Sequence, residues 1–311
     1  MKSSIMKKIS APIVFFGSGP VAAKSLDLLK NNFVIEAVIT KPRAPHHKGD
    51  VPVITLAERL NLPTYTVSTK RELNSLFLEK PFSSQLGILI DFGIIVPQEV
   101  ITYFPLGIIN SHFSVLPEWR GADPITFAIL SGQKKTGVSL MLLVEAMDEG
   151  PLLSYKEYSL PDSITTPQLT EQLIKLSHNL LMSDIPNYLE GKSTTPQTVT
   201  GRRVSYSRKL TKEDGHINWQ KPANQLEREI RAFLEWPKSY TSLGGKEVVI
   251  TQAYALPDTP AGDKPGSITV LKKAEAAIVV TTGEGSLYIQ RLKPNGKREM
   301  SAREFLAGNK L

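Results

Sequence analysis

The abrupt end of one apolar run constrains the fold more than any other part of this sequence. The run LGII at 106–109 predicts a buried strand, and Asn110, Ser111, His112 and Ser114 follow it at once. A strand that ends in hydrogen-bonding side chains is typical of the rim of an open α/β sheet, where ligands bind beyond the carboxyl ends of the strands. On these residues alone, a polar strand end with a surface histidine is the simpler interpretation.

A carboxylate elsewhere in the chain favours a catalytic interpretation. Asn110 and His112 are two residues apart, so in an extended chain their side chains point the same way. An amide donor and an imidazole suit a reaction that builds charge on a carbonyl oxygen and moves a proton. Asp148 follows another apolar run, 138–144, and precedes a Gly-Pro turn. At the same rim, Asp148 would orient the His112 ring.

These residues resemble those of the formyltransferases that use 10-formyltetrahydrofolate. The resemblance runs nearly end to end, and within the family it is strongest to the members that formylate initiator methionyl-tRNA for translation initiation. Its motifs are Asn110-x-His112, SVLP at 114–117, WRGADPI at 119–125, Asp148-Glu149-Gly150 and IRAFLEWP at 230–237.

The resemblance implies an activity, a co-substrate and a set of site residues. Asn110, His112 and Asp148 are then catalytic, 10-formyltetrahydrofolate is the co-substrate and no metal is required. Two segments are expected to hold the folate: Phe92, Gly93, Ile94 and Ile95, and the turn Ser114, Val115, Leu116 and Pro117.

The implied partner is initiator methionyl-tRNA, and the charge distribution is compatible with it. The chain has a formal net charge of +7, and from Ser205 onward 17 Lys and Arg oppose 12 Asp and Glu. Positive charge concentrated in one part of a chain is typical of a polyanionic partner. The loop 41–50 is shorter than the basic insertion of the family, so we expect the C-terminal part to supply more of the tRNA affinity. The expected tRNA-binding residues are Lys41, Arg43, Lys48, Arg231, Lys272 and Lys273.

The order of predicted elements divides the chain into two domains. Strands alternate with helices over 1–190, which predicts an α/β catalytic domain built on an open Rossmann-like sheet. A polar, Thr-rich segment at 191–204 is the predicted linker. Residues 205–311 contain five short strand-like runs and one amphipathic helix, which predicts an OB-like β-barrel that binds tRNA.

Other functions fit parts of the sequence. Gly17, Gly19 and Ala22 satisfy a dinucleotide-binding pattern, so an NADP-dependent oxidoreductase is an alternative. The second strand ends at Lys41 without the acidic residue that binds a ribose, and only Arg43 is placed to meet a 2′-phosphate, which ranks this alternative lower. Within the formyltransferases, the acceptor could instead be an amino-sugar nucleotide, glycinamide ribonucleotide or another small amine. A catalytically inactive nucleic-acid-binding module is a third class.

Composition excludes several classes of site. The chain has no cysteine, so disulfides, thiolate nucleophiles and zinc–thiolate centres are excluded. No segment approaches the ~20 apolar residues of a membrane span, and Gly17 and Gly19 break the first apolar run, which predicts a strand and turn rather than a signal peptide. We expect a cytoplasmic monomer without a membrane association or an obligate protein partner.

Overall fold

The computed structural model describes residues 9–43, 49–256, 264–271 and 278–311, which form two compact units. The first unit contains the described residues up to Gly121, together with Thr136–Ser159 and Thr170–Tyr206. The second contains Ala122–Lys135, Leu160–Leu169 and the described residues from Ser207 to Leu311. Two segments that precede residue 170 therefore belong to the C-terminal unit. Within the described ranges, no helix is long and apolar enough to cross a membrane.

The first unit is an α/β structure. Its strands are β1 (Ile9–Phe16), β2 (Phe33–Thr40), β3 (Thr64–Thr66), β4 (Leu86–Leu89), β5 (Ile108–His112), β6 (Arg120–Gly121), β7 (Lys135–Leu142) and β8 (Leu152–Ser159). Its helices are α1 (Pro20–Leu29), α2 (Pro52–Arg59), α3 (Lys70–Glu79), α4 (Gln98–Tyr103) and most of α6 (Thr166–Leu189). A 3₁₀ helix, Gln197–Thr200, follows α6.

Seven of these strands form one sheet in the order β3-β2-β1-β4-β5-β7-β8. The strands from β3 to β5 are parallel, and β7 joins β5 antiparallel. The chain winds outward from β1 in one direction and returns to β4 on its other side, as in a doubly wound sheet. The predicted open Rossmann-like sheet is confirmed, and its β7 edge is antiparallel.

An aromatic core beneath the sheet rim holds the loop that follows β4. The ring of Phe16, at the end of β1, lies 5.6 Å from that of Phe92 and 6.0 Å from those of Phe77 and Phe104. Phe16 and Phe92 are both buried. The contacts of Phe16 with Phe92 and Phe104 are edge-on and the contact with Phe77 is stacked. Aromatic pairs of these kinds contribute about 0.5–1.5 kcal/mol each beyond their buried area. The start of the candidate folate loop is therefore fixed by packing.

In its described residues, the second unit contains an antiparallel sheet and the three α-helices α5, α7 and α8. Its elements are α5 (Pro124–Ser131), β9 (Tyr206–Ser207, at the boundary), α7 (Ala223–Ala232), β10 (Ser239–Leu243), β11 (Lys246–Leu256), β12 (Ile268–Val270), β13 (Ile278–Thr281), β14 (Ser286–Pro294), β15 (Met300–Ser301) and α8 (Ala302–Ala307). The strand order is β10-β11-β14-β13-β12, with β15 paired to β14. Leu226 and Ile230 of α7 enter the same core as Ile250 and Leu287. This arrangement is consistent with the predicted OB-like domain, and its five predicted strands are all present.

The segment predicted as a linker is structured. Thr195 pairs with Leu152 in an isolated antiparallel bridge, and the backbone N–H of Ser205, the residue after the segment, donates to Pro117 O at 3.2 Å. Residues up to Tyr206 thus pack as part of the first unit. This segment also supplies a side chain that contacts the candidate site.

Candidate active site at the end of β5

Strand β5 delivers Asn110 and His112 to the sheet rim from one face. The strand pairs with β4 on one side and β7 on the other, so its backbone is fixed in both directions. Asn110 is 7% exposed and His112 is 6% exposed. Because side chains alternate along a strand, Ser111 points away, and its hydroxyl bonds to Ser177 Oγ at 2.6 Å.

Asp148 meets both side chains from the loop after β7. Its Oδ1 accepts a hydrogen bond from Asn110 Nδ2 at 3.4 Å and lies 3.7 Å from His112 Nδ1. Its Oδ2 accepts from the backbone N–H of Gly121 at 2.7 Å. An amide nitrogen carries two hydrogens, so Asn110 retains one for another acceptor. The structure therefore brings the three predicted catalytic side chains together, while their roles stay a prediction.

The hydrogen bonds of His112 determine its tautomer. Nε2 lies 2.9 Å from the carbonyl oxygen of Trp119. A carbonyl oxygen can only accept, so Nε2 bears the hydrogen. In the neutral ring, Nδ1 is then an unprotonated nitrogen facing a carboxylate. A second proton on the ring would sit at Nδ1, between the imidazole and Asp148.

Two backbone groups of this site were not predicted from the sequence. They are the Trp119 carbonyl, which orients His112, and the Gly121 N–H, which holds Asp148. Both lie in the WRG run, where Trp119 has a left-handed φ of 56°. Nearly every residue carries a backbone N–H and C=O, so the residue type does not reveal which of them contact a site. In the sequence, only the position of this run directly after β5 indicated that its backbone could contribute.

The loop after β4 presents apolar side chains and free backbone edges. Gly93 has a φ of 68°, and the hydroxyl of Ser18 donates to Phe92 O at 3.0 Å, which anchors the loop. Ile95 is 62% exposed. Among the described residues, none forms a hydrogen bond with the backbone of Ile94 or Ile95. An exposed apolar strip with unused N–H and C=O groups fits a flat heterocycle that carries donors and acceptors.

The second predicted folate segment, 114–117, is internally bonded. Ser114, Val115 and Leu116 are at most 2% exposed. The Ser139 hydroxyl donates to Ser114 O at 2.8 Å and accepts from the Leu116 N–H at 2.9 Å. Pro117, which follows a cis peptide bond, is buried too. This geometry favours a supporting role for the turn, and its contact with folate stays a prediction.

The glycine turn between β1 and α1 is occupied by a carboxylate of the chain itself. The N–H of Ser18 donates to Asp91 O at 2.9 Å, and a Cβ added to Gly19 would lie 2.1 Å from Asp91 Oδ2. A dinucleotide places its pyrophosphate at this helix N-terminus. A carboxylate there repels a phosphate, which disfavours the NADP-dependent alternative and explains the glycines by close approach of Asp91.

The predicted tRNA-binding residues are dispersed. A Cβ added to Gly93 would lie 2.7 Å from Lys41 Nζ. The Lys41 amine therefore packs against the candidate folate loop. Arg43 is exposed. The side chain of Arg231 is 15% exposed; it forms a two-point salt bridge with Glu227 and donates to Ile164 O at 2.7 Å. The remaining three, Lys48, Lys272 and Lys273, lie outside the described residues.

Metal-binding groups are absent from the described ranges: no set of three or more His, Asp or Glu side chains is arranged to hold an ion. The side chains and backbone groups gathered at the rim are an amide donor, an imidazole, a carboxylate and backbone amides. These groups stabilise a developing oxyanion and accept a proton.

Comparison with known proteins matches both parts of the chain. The family model described as formyl transferase matches residues 11–185, and the one described as formyl transferase, C-terminal domain, matches residues 209–310. The methionyl-tRNA formyltransferase of Roseiflexus castenholzii is 33% identical over 309 residues, covering 97% of each chain. That of Myxococcus xanthus is 34% identical over 304 residues, covering 96% of this chain and 95% of its own.

Solved structures share the fold at low identity. The N-formyltransferase of Helicobacter canadensis, solved with folinic acid and dTDP-3-aminofucose, has a TM-score of 0.66 at 16% identity, covering 94% of this chain and 100% of its own. HypX of Aquifex aeolicus, solved with tetrahydrofolic acid, has a TM-score of 0.63 at 16% identity. The match covers 95% of this chain and 46% of HypX. With family models matching both units and relatives a third identical over nearly their full length, this chain belongs to the formyl transferase family.

Proposed function

We propose that this chain transfers the formyl group of 10-formyltetrahydrofolate to the free amine of initiator methionyl-tRNA. The observation that carries the proposal is the convergence of Asn110, His112 and Asp148 at the end of β5. The full-length similarity to methionyl-tRNA formyltransferases supports the choice of acceptor.

One side chain of the site stabilises the developing negative charge, and another accepts the proton of the attacking amine. The folate supplies the formyl carbon, which the acceptor amine attacks through its lone pair. As the carbonyl oxygen becomes an oxyanion, the free hydrogen of Asn110 Nδ2 stabilises it. The attacking nitrogen must lose a proton, and Asp148, with its two oxygens fixed by Asn110 and Gly121, is the base placed to receive it.

His112 contributes through the nitrogen that faces Asp148. Because Nε2 donates to Trp119 O, Nδ1 is the position at which a proton passes between imidazole and carboxylate. Breaking the bond between the formyl carbon and the folate nitrogen requires a proton on that nitrogen. The proton taken from the amine can be returned there, so the reaction balances without another reactant.

The candidate folate loop supplies binding rather than chemistry. The unused backbone groups of Ile94 and Ile95 offer hydrogen bonds to a pteridine edge, and the exposed Ile95 side chain covers its face. Such a site combines apolar area with a few placed polar groups, as small-molecule sites do. Lys41, which packs against Gly93, adds a positive charge beside it.

The tRNA surface is assigned to exposed basic residues rather than to Arg231. All three donor nitrogens of Arg231 are used within the second unit. Lys209, Lys212 and Lys238 are exposed, and no salt bridge joins them to another residue of the described ranges. When such lysines neutralise phosphates, the counterions condensed on the nucleic acid are released, which favours binding to a polyanion.

The test is formylation in vitro with competing acceptors. The full chain, 10-formyltetrahydrofolate and charged initiator tRNA should yield formylmethionyl-tRNA, detected by mass spectrometry after deacylation. Parallel reactions contain a dTDP-amino sugar, glycinamide ribonucleotide or elongator methionyl-tRNA. Preference for the amino sugar would overturn the acceptor assignment, while inactivity with every amine would overturn formyl transfer itself.

A further inference from the structure

Gln197, in the segment predicted as a linker, uses both ends of its amide to hold the loop that carries Asp148. Its side chain is 5% exposed. Nε2 donates to the carbonyl oxygens of Asp148 at 2.8 Å and of Gly150 at 2.9 Å. Oε1 accepts from Arg120 Nη2 at 2.8 Å and from Arg120 Nε at 3.3 Å.

Arg120 completes the contact with the same loop. Its third donor, Nη1, lies 2.9 Å from Glu149 Oε1, and the residue is only 9% exposed. The next backbone N–H, that of Gly121, donates to Asp148 Oδ2. Arg120 and Gln197 together therefore contact each of the residues 148, 149 and 150.

The loop needs such restraint because its conformation is unfavourable in isolation. Asp148 has a φ of 53°, in the left-handed region that costs free energy for a residue with a side chain. A Cβ at Gly150 would lie 1.7 Å from Leu142 O, so the turn also packs directly against the end of β7. A turn of this kind keeps its shape only where the surrounding structure determines it.

We infer that Gln197 and Arg120 are positioning residues for formyl transfer: they fix the Asp148 turn so that its carboxylate faces Asn110 and His112. The inference rests on the proposed function, which assigns Asp148 as the base. The chemistry requires an amide at 197, since one end must donate to two carbonyls while the other accepts from a guanidinium. The folded linker segment is thereby part of the machinery that sets the active-site geometry.

Two changes at Gln197 test this role in the full-length chain. Gln197→Leu removes the donors, and Gln197→Glu places an oxygen against two carbonyl oxygens. We expect kcat to fall about 100-fold in both, with KM for folate and tRNA nearly unchanged, because displacement of a catalytic group by ~1 Å has this effect. The Gln197→Glu loss, relative to the unmodified chain, should shrink at acid pH, where a protonated carboxyl regains one donor.

Thr200→Ala is the matched control. The Thr200 hydroxyl donates to Gln197 O at 2.8 Å within the same 3₁₀ helix and has no bond to the loop 148–150. This variant should keep its kcat. An equal loss of kcat in Thr200→Ala and Gln197→Leu would mean that the segment matters only for folding, and would overturn the inference.

A double-mutant cycle separates positioning from general stability. In an Asp148→Asn background, Gln197→Leu should cost little further activity, because the group it positions is already gone. Full additivity of the two losses would contradict the inference. Hydrogen exchange without substrates gives a readout independent of turnover: the backbone amides of residues 148–150 should exchange faster in Gln197→Leu and not in Thr200→Ala. If exchange in Gln197→Leu is unchanged, the inference is overturned even if the unmodified chain is an active formyltransferase. If exchange is faster but the unmodified chain has no formyltransferase activity, only the proposed function is overturned.

Discussion

At the residue scale, the two nitrogens of His112 have different environments and therefore different roles. Nε2 is committed to Trp119 O, and Nδ1 faces Asp148. A half-turn of the His112 ring about its Cβ–Cγ bond would put a carbon in place of each nitrogen. The bond to Trp119 O and the approach of Nδ1 to Asp148 would both be lost. In the proposed mechanism, the Trp119 carbonyl thus selects the nitrogen at which the proton moves. Trp119 holds a left-handed φ, unfavourable for a bulky residue, while its carbonyl bonds to His112 Nε2.

Asn110 gives the most direct residue-scale prediction. Asn110→Ala removes the amide hydrogen assigned to the oxyanion, so kcat should fall about 100- to 1,000-fold. Folate binding, measured by calorimetry, should be nearly unchanged because the contact forms mainly in the transition state. Ser111→Ala, on the opposite face of the same strand, serves as the control and should lower only thermal stability. Turnover of Asn110→Ala within about tenfold of the unmodified chain would refute the role of Asn110.

At the element scale, strand alternation was enough to predict part of this site. The i, i+2 spacing of Asn110 and His112 placed both on one face of β5, and the apolar run before Asp148 placed it at the neighbouring strand end. The contributions of Trp119, Gly121 and Gln197 depend on backbone groups and on contacts between residues that lie 7 to 77 positions apart in the chain. No local pattern encodes such contacts. The packing of segment 191–204 could not be predicted for the same reason, since its polar composition is also that of a linker.

The attachment of β2 to the segment before β4 yields a prediction about stability. Glu36 accepts from the backbone N–H groups of Ser83 and Ser84, each at 2.7 Å, and from the Ser84 hydroxyl. Burial raises the pKa of Glu36, but the hydrogen bonds from Ser84 and Ser83 outweigh it and leave the pKa below its usual range. A carboxylate with a depressed pKa stabilises the fold above its unfolded pKa of about 4.3 and loses that contribution as the pH falls through the lower folded value.

Glu36→Gln should therefore destabilise the first unit at neutral pH and converge with the unmodified chain in acid. Urea unfolding at about pH 7 and at about pH 3 measures the difference. Glu79→Gln is the control, since this exposed residue at the end of α3 forms no side-chain hydrogen bond or ion pair with another described residue. A destabilisation of Glu36→Gln that is constant across this pH range would show that packing, and not the charge, is responsible.

At the scale of the whole molecule, the concentration of positive charge after Ser205 predicts salt-dependent binding. Changing Lys209, Lys212 and Lys238 together to Ala should weaken tRNA binding and reduce the slope of log affinity against log salt by about 1 for each phosphate that is no longer neutralised. Lys134→Ala is the control, because Lys134 is exposed but paired with Asp162. Fluorescence titrations at several salt concentrations measure both. Equal slopes for the triple variant and the control would place the tRNA surface elsewhere.

The C-terminal unit includes segments from before residue 170, and this predicts the effect of truncating the chain. A chain ending at Arg203 keeps Ala122–Lys135 and Leu160–Leu169 but loses the rest of their unit. Helix α5 packs against α7, and Ile125 and Ile129 are at most 9% exposed. Hydrogen bonds also tie these segments to α7, from Arg228 to Leu130 O at 3.2 Å and from Thr166 to Ala232 O at 2.8 Å.

Removing α7 exposes that apolar helix face, and each buried isoleucine that returns to water costs about 1.5–3 kcal/mol. An apolar patch without its cover also promotes association. The truncated chain should therefore unfold at lower temperature than the full chain and elute as aggregates in size-exclusion chromatography. A chain ending at Gly308, which retains α7 and the β-sheet, should remain monodisperse. If the chain ending at Arg203 were monodisperse and as stable as the first unit of the full chain, residues 122–135 and 160–169 would not depend on the C-terminal unit, and the boundary near 204 would separate two independent domains.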